Sequence, residues 1–173
     1  MPKILAIDPG SSETAYCLYD SDAPKGKQIL DAAKLPNADL LRTLRYRSGT
    51  MTPKGLFDEA NVLAIEMIAC YGMAVGASVF ETVFWAGQFV EASGIPFDKV
   101  YRREVKVHLC NSAKAKDSNV NRVLLDRFGD YTYGQTGKGT KKNPSQLYGF
   151  QNDMFAALGV AVTYAETRMA TQA

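Results

Sequence analysis

The sequence has little that would anchor a disulfide framework, a thiolate metal site or a histidine-centred catalyst. It holds three cysteines, Cys17, Cys70 and Cys110, and one histidine, His108. The cysteines are scattered with no paired spacing. That argues against both a zinc site and a stapled fold, and leaves them as small apolar residues in a reducing compartment. His108 has no Ser or Cys partner pattern around it. Long apolar runs are also missing, so no bilayer span is expected. A basic-then-apolar leader is absent too, which gives a cytoplasmic expectation with no membrane partner. There is no internal repeat and no clear linker in the 173 residues, a length that suits one domain, 1–173, with a hydrophobic core. A P-loop is excluded: in "YGQTGKGTKK", Lys138 is followed by Gly139 rather than Ser or Thr, and no apolar strand precedes it.

What the chain does have is an uneven charge. The formal net charge is +2, but Lys99 to Lys142 carries eleven basic against four acidic residues, while the rest carries nine against fourteen. A basic third of this kind fits either a polyanionic partner such as nucleic acid or a solvated charged surface. Arg102, Arg103, Lys106, Lys114 and Lys116 fall in its first half and are candidate DNA-binding residues. A glycine-rich loop at about 131–146 carries Lys138, Lys141 and Lys142, which read as mobile phosphate contacts adding salt-dependent affinity without reading sequence.

The apolar pattern gives the architecture. "KILAID", "TAYCLYD" and "QILDAAKL" read as a meander of three strands. "PNADLLRTLRYRS" reads as a helix with Asn37 or Asp39 as cap. "NVLAIE" is a further strand, "SVFETVFWAGQFVEASG" a helix ending at Gly94, and "DKVYRREV" a strand passing into a helix. "KDSNVNRVLLDRFG" is a helix capped by Asp117 or Ser118 and stopped by Gly129. "LYGFQNDMFAALGVAVTYAETR" is a helix apolar on most sides, hence buried against a sheet. The class is α/β or α+β. "KILAID" and "NVLAIE" are almost wholly apolar, so both belong in mid-sheet, covered on two faces. With a helix between them they are expected to run parallel.

Two parallel central strands ending in acids set Asp8 and Glu66 side by side at one carboxyl edge. Either acid alone reads as a turn cap or an ion-pair member. Together they repel and lose hydration unless a cation neutralises them, and with oxygen ligands the natural ions are Mg²⁺ or Mn²⁺. Asp153 opens the last apolar helix, where a favourable helix-terminus charge is the simpler reading. Ala156, Ala157 and Val160 follow it at helical spacing, which turns that face to the sheet. Three converging acids can hold two divalent ions about 3.5–4 Å apart, the arrangement that hydrolyses phosphodiesters.

The ordered set "ILAIDPGSSETAY", "LAIEMI", "REVKVHLCNSAKAKDSNVNRVLL" and "DMFAALGVAVTY" resembles RuvC-type Holliday-junction resolvases of the ribonuclease H-like superfamily. The resemblance covers most of the chain, and the style of the final helix is that of some bacteriophage members. It implies a mixed five-stranded sheet with helices on both faces, a homodimer, and Mg²⁺-dependent nicking of branched DNA, with Mn²⁺ as a substitute. It also implies Asp8, Glu66 and Asp153 as metal ligands, Lys106 and Lys116 as catalytic lysines near the scissile phosphate, and Tyr71 as an aromatic at the junction centre. One departure stands out: the acid usually found one turn after Asp153 is Ala156 here. That keeps open a junction-binding module with weak or no catalysis, and because the basic segment favours DNA only modestly an RNA-processing nuclease of the same fold is the other alternative.

Overall fold

The two almost wholly apolar runs become neighbours at the centre of one sheet. The computed structural model describes residues 3–46, 55, 57–70 and 72–169. Among these the chain forms β1 (Lys3–Asp8), β2 (Glu13–Tyr19), β3 (Ile29–Pro36), α1 (Asn37–Tyr46), β4 (Ala60–Met67), α2 (Ala77–Ser93), β5 (Phe97–Tyr101), α3 (Arg102–Cys110), α4 (Asp117–Phe128) and α5 (Asn152–Tyr164). A π-helical turn, Ala165–Met169, extends α5. The strand order is β3-β2-β1-β4-β5. The β1–β2 and β2–β3 pairs are antiparallel, whereas β1–β4 and β4–β5 are parallel, so the sheet is mixed.

Alternation along β1 shows why it must be central. Ile4 and Ala6 join one core with α3, α4 and α5, while Leu5 and Ile7 join a second core with α1 and α2. A strand that is buried on both faces has no polar face to show, which is what its sequence displays. The helix α5 lies across β1 and β2, with every residue from Met154 to Thr163 buried. Its small residues permit that closeness. A Cβ built on Gly159 would stand 3.0 Å from Val105 Cγ1 of α3, tighter than packed side chains accept without shifting.

Three local expectations give way to tertiary contacts. Asn37 opens α1, but its side chain leaves the helix to bind the β1–β2 turn. Its amide donates to the Gly10 carbonyl at 2.9 Å, and its Oδ1 accepts from Thr14 Oγ1 at 2.7 Å. Lys116, not Asp117 or Ser118, occupies the cap position of α4. The last helix starts at Asn152 rather than near Leu147, because Leu147 and Phe150 reach the core from turns. No helix among the described residues is long and apolar enough to cross a membrane.

Candidate active site

Asp8 ends β1, and the parallel register pairs Ile7 with Ile65, so Asp8 and Glu66 occupy adjacent positions at the same sheet edge. The chain leaves that edge through Pro9-Gly10. Gly10 is required there, since a Cβ would collide with the Glu13 carbonyl oxygen. The first turn of α5 brings Asp153 to the same edge, and the start of α4 brings Asp117. Together with Arg102 from the first turn of α3 and Ala156 from α5, the four acids line one open pocket of about 410 Å³.

Burial raises the Asp8 carboxyl to about 6, with the Asp153 carboxylate adding to the effect and Arg102 opposing it. Burial likewise raises Glu66 to about 8, helped by Asp8 and opposed by Arg102. Desolvation disfavours the charged form, and a second carboxylate alongside disfavours it again. The counter-charges are ordered around the rim. Lys34 Nζ of β3 sits 2.7 Å from Asp153 and 3.3 Å from Glu13. Arg102 Nη2 donates to Asp117 at 2.7 Å, and Lys106 Nζ lies 3.4 Å from the same oxygen. Arg102 Nη1 is 3.8 Å from Glu66 Oε2, an ion pair beyond hydrogen-bond reach. Both of those atoms are buried without a hydrogen-bond partner.

Among the described residues no three acidic, histidine or cysteine side chains are drawn in tightly enough to grip an ion as they stand. The donor chemistry nevertheless fits a hard divalent cation. All the candidate donors are carboxylate oxygens, and Glu66, which lines the pocket, has a buried Oε2 with no hydrogen-bond partner.

No family profile matches the sequence, and neither does any curated protein. Solved structures do match. Thermus thermophilus RuvC superposes with a TM-score of 0.63 at 18% identity, over 98% of this chain and 97% of that one. T. thermophilus RuvC in complex with Holliday junction substrate superposes with a TM-score of 0.67 at 16% identity, over 99% and 98%. The fold is that of RuvC. It is the ribonuclease H-like α/β fold, with a mixed five-stranded sheet and five α-helices among the described residues.

On this RuvC-like frame the remaining candidates separate. Lys106 reaches the pocket rim through Asp117. Lys114 and Lys116 are exposed on the α3–α4 connection. Arg102 and Arg103 diverge: Arg102 faces the acids, whereas Arg103 lines a different depression with Val107, His108 and Arg168. Tyr71 lies outside the described residues. The glycine-rich loop is bonded to itself and to its flanks. Gly139 bridges Pro144, Asp130 N–H donates to the Gly137 carbonyl at 2.8 Å, and Ser145 Oγ donates to the same oxygen at 3.0 Å. Lys138 is tied down, its Nζ donating to the Phe150 carbonyl at 2.6 Å and lying 5.2 Å from the Phe155 ring centre. Lys141 and Lys142 stay exposed at the loop tip. Sequence reading missed Asp117 and Lys34 as members of the site. Asp117 carried one signal, an acid at a helix start inside an otherwise basic segment. Lys34 carried none.

Proposed function

We propose that the chain is a divalent-metal-dependent endonuclease that nicks branched DNA, most readily four-way junctions. The observation carrying this reading is the Asp8–Glu66 pair, two carboxyls raised by burial at adjacent ends of parallel strands, with a buried Glu66 oxygen that has no hydrogen-bond partner. Asp8, Glu66 and Asp153 would hold Mg²⁺ or Mn²⁺, two ions in one site. Bound there, such ions lower the pKa of water and offset charge on the attacking and leaving oxygens of a phosphodiester. The chain's own part is to present the carboxylates, exclude bulk water below Glu66, and set Lys106 and Arg102 where negative charge builds on the phosphate. The RuvC likeness and the basic third of the chain support DNA as substrate. An exposed apolar face on α2, with Phe80 66% and Phe84 64% exposed, suits the contact of a homodimer.

The test offers four-way junction, linear duplex and structured RNA with Mg²⁺, Mn²⁺ or chelator. Metal-dependent nicking of the junction is expected, lost in Asp8→Asn while junction binding persists. Cleavage of RNA alone would move the substrate class. A second reading rests on Ala156, where the pocket wall lacks a carboxylate: a junction-binding module. Binding without cleavage in any metal would establish it.

A further inference from the structure

Arg102 is the most constrained cation of the pocket, and its two ends do different things. Nη2 makes a short charge-assisted hydrogen bond to Asp117. Nη1 is buried and turned toward Glu66 Oε2, yet at 3.8 Å it leaves that oxygen unsatisfied. A guanidinium free to choose would close on the buried carboxylate, because a pair in low dielectric attracts more strongly than one at the surface. Asp117, itself exposed, holds it back by the other end of the same planar fork. The acid side of the pocket is thus neutralised by a cation that is kept near Glu66 without being bonded to it.

We propose that Asp117 is a positioning residue that tethers Arg102, and that Arg102 competes with a divalent cation for the Glu66 carboxylate, so that this pair sets the metal affinity of the site. The inference rests on the metal-site reading above and deepens it. It also gives Asp117 a task that differs from filling in for the acid absent at Ala156. A ligand would add attraction for the metal directly, whereas a tether acts only through Arg102.

The test is calorimetric titration of Mg²⁺ into the full-length protein without DNA, in alkaline buffer that keeps the carboxylates ionised. Arg102→Gln is expected to bind Mg²⁺ about tenfold more tightly, since one positive charge beside the ion is lost. A gain cannot come from a damaged fold, which would only weaken binding. Asp117→Asn is expected to bind more weakly, as the released Arg102 closes on Glu66. Most of that loss should vanish when Asp117→Asn is made in the Arg102→Gln background. Unchanged or weaker binding by Arg102→Gln overturns the competition. An equal loss from Asp117→Asn in both backgrounds overturns the tether and makes Asp117 a ligand or a plain charge. Junction cleavage by the wild-type protein is scored separately. Its absence, with the Mg²⁺ results as expected, would count against the nuclease reading and leave the Arg102–Asp117 pair standing.

Discussion

Glu66 is a carboxyl group with poor accommodation for its charge. It is withdrawn from water, has Asp8 beside it, and is relieved mainly by the distant Nη1 of Arg102, with Lys106 adding to it. Its titration is therefore linked to folding. The folded carboxyl titrates near 8, above the ordinary value of 4.5, so the folded chain holds a proton that the unfolded chain has released. Stability of the metal-free protein is then full below the ordinary value and declines as pH rises through the folded one. Glu66→Gln removes that titration and its share of the decline, leaving the share that the raised Asp8 carboxyl contributes. In chelator, the melting temperature of Glu66→Gln should gain on the wild type steadily between about pH 4.5 and 8 and then level off. Parallel melting curves across that range would contradict the buried-charge account. Asp8 and Glu66 were legible in the sequence because each ends a run with no polar face. Asp117 and Lys34 were not, nor was the inward role of Arg102, because an ion-pair partner is chosen by which elements meet and not by its own neighbours in the chain.

At the scale of elements, the site depends on how β1 is handed to β2. The turn carrying Asp8 outward is held from α1: Asn37 bonds the Gly10 carbonyl and the buried Thr14 hydroxyl, and its backbone N–H donates to the Ser12 carbonyl at 2.9 Å. Asn37→Ala keeps the backbone bond but strands a buried hydroxyl and leaves the Gly10 carbonyl short of a donor. Losses of this type cost about 1–3 kcal/mol for each buried group left unsatisfied, and chemical denaturation should register a drop of about 2–3 kcal/mol. Asp39→Ala is the control. Its carboxylate pairs with Arg42 on an exposed face, a contact worth about 0.3–0.5 kcal/mol in a helix. If the two variants lose the same amount, Asn37 is an ordinary helix opener. Strands and helices were readable from periodicity, since burial on one or two faces imprints itself on the residues. Helix starts were not. Asn37 and Asp117 are good capping types by chemistry, but each spends its side chain on another element. Leu147 and Phe150 extend an apolar pattern beyond the helix because turns also feed the core.

At the scale of the whole molecule, the basic third of the chain folds into two different things. Part of it, Arg102 and Lys106, is internal counter-charge to the acids. Lys138 is internal as well, fastening the loop to the start of α5. Lys141 and Lys142 remain outward at the loop tip, where a phosphate can meet them without breaking an existing bond. Composition could not separate these roles, because a lysine that staples a loop and one that awaits DNA look alike in a charge count. The distinction is measurable by salt. Each phosphate neutralised on duplex DNA steepens the fall of log affinity with log salt by about 0.9. Anisotropy of a labelled four-way junction over a KCl series in chelator should therefore flatten by about 0.9 per residue for Lys141→Ala and for Lys142→Ala, with melting temperature unchanged. Lys138→Ala should do the reverse, lowering the melting temperature through loss of the Phe150 and Phe155 contacts while leaving the slope nearly as it was. A steep slope retained in the Lys141→Ala, Lys142→Ala double variant would remove the loop tip from the DNA surface and shift the phosphate contacts to Lys114 and Lys116 on the α3–α4 connection.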